Sequence, residues 1–160
     1  MSNLKVVIET PKGSAQKYDY DPDTRFFEMS KILPSGMVFP YDFGFIPRTK
    51  GEDGDPLDVI VISEFKSFPG IVIKCRIIGG IKAEQSAGNG KKMIRNDRFL
   101  AIPKCSNIFE KVDAMSELPT NIMDELEQFF VGYNKLEGKK FKILEKMGPK
   151  EAQRLVQPKG

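Results

Sequence analysis

The stretch Glu52-Asp53-Gly54-Asp55-Pro56-Leu57-Asp58 places four carboxylates within seven residues, and Val59-Ile60-Val61-Ile62 follows at once. Gly54 and Pro56 are turn formers, so the acids belong to a tight loop. Val59 to Ile62 is short, β-branched and unbroken, the pattern of a buried strand. Carboxylates crowded at the mouth of such a strand repel one another unless positive charge stands between them. The natural filler is a hard divalent cation with oxygen ligands; Mg²⁺ takes one or two carboxylates and keeps waters for a substrate phosphate. A solvated acidic turn is the plainer reading of the same residues. A calcium loop is excluded. With Asp53 as first ligand, Leu57 falls at the third ligand position and Asp58 at the obligatory glycine, and Glu64 reaches the last position by coincidence.

Further acids fall at expected strand ends or turns: Glu9, Asp19, Glu84 and Asp97. Lys17 lies near Asp19, and Arg98 follows Asp97. Acids alone would hold metal. Acids with bases suit a metal–polyphosphate substrate, because metals and fixed cations together spread the charge of a transferring phosphoryl group. Asp53 and Asp55 are two apart, so in extended chain they face one way, and Asp58 at the strand entrance turns inward too. Two metals sharing these carboxylates would hold a bridging water and lower its pKa toward neutrality. No covalent protein nucleophile is needed. Taken singly, each charge outside the loop reads as a solvated surface residue; the joint pattern points to a site.

Asp-Gly-Asp-Pro-Leu-Asp-Val, residues 53–59, resembles the signature of the soluble, Mg²⁺-dependent inorganic pyrophosphatases of family I. Pieces of that pattern appear in order from Glu9 to about Lys140, most of the chain. The resemblance implies a five-stranded, oligonucleotide-binding-like barrel. It also implies several Mg²⁺ ions, for which Mn²⁺ can substitute. Glu9, Asp19, Asp53, Asp58 and Asp97 are implied as metal-site acids, with Glu84 near a further one. Asp55 resembles the carboxylate that orients or deprotonates the nucleophilic water. Lys17, Lys31, Arg98, Tyr133 and Lys135 fall at or beside phosphate-binding positions. Members of the family are homo-oligomers, and bacterial ones of this length often form hexamers.

Several positions depart from the pattern. The family usually has Glu where Asp19 stands, and Phe39 and Phe43 replace common tyrosines, removing two hydroxyl donors. Lys31 stands where an arginine is usual and lacks its bidentate fork. Asn134 replaces a lysine, with Lys135 adjacent, and the spacing from Arg98 to the next strand is one residue short. Together these imply an intact metal cage, an altered phosphate clamp and weaker substrate binding.

The elements that must position these groups read as one domain, 1–160, long enough to bury a real core. Short strands are expected at Leu4–Ile8, Gln16–Tyr20, Arg25–Met29, Val59–Ile62, Ile71–Ile78 and Phe99–Ile102, with a hairpin-type loop at Ala87-Gly88-Asn89-Gly90. The last third reads as helical. Ile122, Leu126, Phe129, Phe130 and Tyr133 follow helical spacing between Pro119 and Gly138, and a short helix follows from Pro149. The expected fold class is α+β: a small β-barrel with helices packed outside.

Composition narrows the chemistry. A net charge of +3, spread along the chain, makes no demand for nucleic acid. No apolar stretch is long enough to span a membrane and the N-terminus has no signal core, so a cytoplasmic protein is expected. Cys75 and Cys105 with no histidine exclude the usual zinc sites and read as free thiols. Acid–base chemistry must therefore come from carboxylates, lysine, tyrosine or metal-bound water. The leading expectation is hydrolysis of pyrophosphate. Hydrolysis of another phosphoanhydride is a second reading, motivated by the altered clamp. A nucleic-acid-binding barrel is a third, motivated by the rings between Phe39 and Phe45 and opposed by the acids beside them.

Overall fold

A computed structural model describes residues 4–86 and 92–157. The loop expected at Ala87-Gly88-Asn89-Gly90 lies outside the described residues. Five strands close into a ring: β1 (Leu4–Thr10), β4 (Asp42–Phe45), β5 (Asp58–Val61), β8 (Arg98–Pro103) and β6 (Val72–Ser86), which pairs back onto β1. Only β5 and β8 run parallel. Closure leaves the ring without an unpaired edge.

The alternation of β5 and β8 explains the unbroken apolar runs. Val59, Val61, Phe99 and Ala101 point into the barrel with Val6, Ile8, Cys75 and Ile77, and α2 (Pro149–Leu155) plugs one end with Ala152. Ile60, Ile62, Leu100 and Ile102 point outward and are covered by Ile122, Met123, Leu126 and Phe129 of α1 (Thr120–Leu136). With both faces buried, each such side chain adds roughly 1.5–3 kcal/mol of transfer free energy. Phe39 and Phe43 lie in this outer layer against Phe129 at 5.0 and 5.6 Å between ring centroids. They are core, not an exposed stacking platform.

Two elements stand on the ring. The β2–β3 hairpin (Gln16–Asp21, Phe26–Ile32) is a separate sheet joined to β1 by Thr10, whose Oγ1 donates to Tyr18 O (2.9 Å) and accepts from Tyr18 N (3.0 Å). The end of α1 is turned by Gly138 at φ 70°. The amide of Gly138 donates to Lys135 O and that of Lys139 to Asn134 O, the double bond pattern that closes a helix on a left-handed residue.

The expectation of a wholly helical last third is corrected. Phe141–Met147 forms β9, which pairs antiparallel with the far half of β6 from Gly80 to Gln85. Phe141 and Ile143 alternate toward the outer layer. Leu144 then breaks that period of two, where the register with β6 shifts and skips it. β6 itself runs 15 residues and also carries β7 (Met93–Arg95), so it extends well beyond Ile78. Among the described residues no helix is long and apolar enough to cross a membrane.

Gly44 marks the tightest approach in the ring. A β-carbon there would sit 2.1 Å from the Val7 carbonyl oxygen. Gly44→Ala must push β1 from β4, and the expected loss is about 3 kcal/mol or more in chemical denaturation, since backbone cannot yield as a side chain would.

Candidate active site

The site begins with register. Phe45, Asp58 and Arg98 are neighbours across β4, β5 and β8, one step above the row Phe43, Ile60 and Leu100. Their side chains share the outer face, so Asp58 turns toward the space beside α1 and not into the barrel. Glu9 joins them from a bulge in β1 between Ile8 and Thr10. Its Oε2 accepts the Tyr20 amide at 2.8 Å. Tyr20 in turn stacks on Phe45 at 5.6 Å, which fixes the hairpin over the end of the ring.

Asp53 and Asp55 arrive by a pinned loop. Ile46 N donates to Leu57 O (3.0 Å) and Leu57 N to Thr49 Oγ1 (3.0 Å), closing the base. Inside it Gly51 N donates to Asp55 O and Asp55 N to Asp53 Oδ1 (3.0 Å), with Gly54 at φ 89°. The two acids therefore reach the same space through a turn, not through extended chain.

A cleft of about 740 Å³ results, lined by the acids Glu9, Asp19, Asp53, Asp55 and Asp58 and by Lys17, Lys31, Arg98 and Tyr133. It also takes in Asn134, named above as an altered clamp position, and Arg48, Gln85, Glu137 and Lys139, which motif reasoning missed. The helix-ending glycine at 138 was the one sequence signal that two charged residues would project there. Three expected residues do not line the cleft. The Asp97 carboxylate is gripped by Arg95 at 3.0 and 2.7 Å and accepts the Ala83 amide at 3.2 Å. Glu84 lies mid-ladder between Arg95 and Lys142, while its neighbour Gln85 faces the cleft. Lys135 is exposed on α1.

The charges are strongly perturbed. Burial pushes Glu9 up to about 7, with Asp19 and Asp58 adding repulsion against the Tyr20 amide. Burial pushes Asp58 up to about 6, opposed by Arg98 and reinforced by Asp53. Asp53 is raised by partial burial and by Asp55. Among the cations, Lys17 is raised; burial works against its charge, but Asp19, at 3.6 Å, and Tyr133 outweigh it. Ser30 Oγ donates to Asp19 Oδ2 at 2.6 Å. Burial lowers Arg98, which donates to Asn96 O (2.6 Å) and Gln85 Oε1 (3.1 Å) and lies 4.7 Å from the Phe130 ring centroid. Glu137 binds Lys31 and lies 3.8 Å from Lys139. Although buried, it is held below the usual carboxylate range by Lys31.

Two features suit an anion with metal. The Tyr133 hydroxyl is buried without a well-formed hydrogen bond, though Lys17 and Glu137 lie close enough to influence its ionisation, and burial raises it to about 12. Among the described residues no three acidic or cysteine side chains converge into a ready-made cage. Yet the donors of Glu9, Asp53, Asp55 and Asp58 are all oxygen and line the same cleft, with two of them driven toward protonation. That set fits a hard cation, which would relieve their repulsion. Of the altered positions, Phe39 and Phe43 edge a recess of about 100 Å³ beside the cleft. Asn134 turns its amide to Phe130 O at 2.8 Å, one helical turn back.

Raised carboxyls have a signed consequence for stability. The folded, metal-free chain keeps protons that the unfolded chain releases. This contribution is complete below the unfolded values of 4.5 for Glu9 and 3.8 for Asp58, and is lost as pH rises through about 7 and 6. In EDTA, the denaturation midpoint should fall between pH 5 and pH 8, and Glu9→Gln should flatten that slope. An equal slope in the variant would refute the assignment to Glu9.

A family model for inorganic pyrophosphatase matches residues 6–159. An inorganic pyrophosphatase of Leifsonia xyli is 37% identical over 158 residues, covering 98% of this chain and 93% of its own length. One of Thermus thermophilus is 34% identical over 145 residues, 91% of this chain and 79% of the relative. The crystal structure of the inorganic pyrophosphatase from Thermus thermophilus superimposes with a TM-score of 0.84 at 30% identity, covering 95% of this chain and 86% of that one. The inorganic pyrophosphatase of Helicobacter pylori gives 0.87 at 28% identity, over 97% and 89% of the two chains. The match runs through the acidic loop and both strands that frame it, and the chain belongs to the inorganic pyrophosphatase family.

Proposed function

We propose that this cleft hydrolyses inorganic pyrophosphate to two orthophosphates, with Mg²⁺ as its metal and Mn²⁺ as a substitute. The observation that carries the reading is that acids and cationic side chains of the expected kinds line one cleft. A metal–diphosphate complex is the kind of ligand that needs both. Glu9, Asp19, Asp53 and Asp58 are the acids that would hold the metal. Asp97 would join them only on release from Arg95, and Glu84 only by leaving its ladder. Bound Mg²⁺ offsets substrate charge and makes water more acidic.

The chain's own groups do the rest. Asp55, exposed at the loop tip, orients the attacking water and accepts its proton. Lys17, Lys31 and Arg98 take phosphoryl oxygens, and the unpartnered Tyr133 hydroxyl donates to one more. Lys135 stands outside this set, and Lys139 takes its place. With Lys31 in place of an arginine and no hydroxyls at Phe39 and Phe43, we propose that pyrophosphate binds less tightly than in relatives with the full clamp. The same reading includes a cytoplasmic protein, which the free thiols of Cys75 and Cys105 fit. It also includes a homo-oligomer, a hexamer by resemblance, whose contacts would cover exposed rings such as Phe26 and Phe65.

Phosphate release from pyrophosphate with Mg²⁺, and its loss in EDTA, tests the reading directly. Asp55→Asn should keep fold and metal binding while turnover falls by about a hundredfold or more, the scale of a general base. Full turnover in that variant would remove Asp55 from the reaction.

A further inference from the structure

Five cationic side chains line the cleft, and four already have partners. Lys17 faces Asp19, Lys31 and Lys139 share Glu137, and Arg98 has one donor on each terminal nitrogen engaged by Asn96 O and Gln85. Arg48 is exposed at the rim and makes no ion pair or side-chain hydrogen bond among the described residues. Its backbone is also unusual. At φ 64° it occupies the left-handed region, which costs a residue with a β-carbon free energy that glycine escapes. Arg25 has the same φ but sits in the turn between β2 and β3 and does not line the cleft.

The conformation of Arg48 is held from both sides. Thr49 Oγ1 donates to Ile46 O at 2.6 Å and accepts from Leu57 N, and Ile46 pairs with Leu57. A glycine would meet the same turn with less strain. An arginine that keeps it sends a free guanidinium from the base of the acidic loop into the cleft.

We propose that Arg48 is a further substrate-binding residue, whose guanidinium grips a phosphoryl group of pyrophosphate with two parallel N–H donors at the mouth of the cleft. This contact needs a planar fork, which Lys31 lacks and which Arg98, already committed to Asn96 O and Gln85, does not offer. The proposal rests on the pyrophosphatase reading.

The test compares wild type, Arg48→Gly and Arg48→Lys. Each is measured for thermal unfolding and, by calorimetry with Mg²⁺, for binding of methylenediphosphonate, a diphosphate that is not hydrolysed. Arg48→Gly should unfold at or above the wild-type temperature yet bind the probe about tenfold or more weakly, as loss of a charge-assisted pair implies. Arg48→Lys should recover only part of that affinity. Unchanged binding in Arg48→Gly would show a merely solvated cation, and a lower unfolding temperature with lost binding would show a structural side chain. Full affinity in Arg48→Lys would rule out the fork. Each of these results overturns the proposal, while phosphate release by the wild type checks the pyrophosphatase reading separately.

Discussion

The arrangement depends on carboxylates held where water cannot fully solvate them. Asp58 stands at the entrance of a strand whose next residues are wholly buried, and Glu9 sits on a bulge beside it. At 4 Å two like charges cost about 1 kcal/mol in water and several times that in the partly desolvated rim of a protein. The apolar layer of Ile60, Leu100 and Phe43 beneath them prevents the acids from drifting apart. A rigid frame thus keeps an unfavourable charge pattern in being, and the pattern gains its value when a cation and an anion arrive together.

The acids and the cations of the cleft come largely from different parts of the architecture. Glu9, Asp58 and the Asp53–Asp55 loop belong to the ring, whose register is fixed by burial on both faces. Lys17 and Lys31 belong to the β2–β3 hairpin, and Tyr133, Glu137 and Lys139 to the end of α1. Lys31 and Glu137 tie those two accessories to each other across the cleft. Metal-type donors therefore sit on the most rigid element, and anion-type donors on pieces attached to it. Asp19 and Arg98 cross that division, each paired with groups beside it.

Much of this was legible in the residues. The acidic turn before Val59 located the loop, and helical spacing with Pro119 and Gly138 located α1 to within a residue or two. What escaped notice did so for physical reasons. β9 carries its apolar residues among lysines and glutamates, and its strand character comes from pairing with β6, a long-range contact. Glu84 and Gln85 are adjacent, and a strand sends neighbours to opposite faces, so an uncertainty of one residue chose the wrong side chain. Asp97 was read as a metal ligand because nothing in the sequence shows its grip by Arg95, made across the short break between β7 and β8. Arg48 bears no motif; only its backbone angle and its isolation single it out.

β6 has a consequence for how the chain is made. It ladders to β1 through Leu4–Val7, to β8 through Cys75–Ile81 and to β9 through Gly80–Gln85. A chain emerging from the ribosome cannot close the ring until Pro103 is out, and the far half of β6 gains its β9 neighbour only once Met147 follows. Val6, made early, must wait for Ile73, so loop closure precedes reward. Such a nascent chain presents sticky β-branched surface until those partners are made, and its yield in a cell should depend on chaperones that shield that surface.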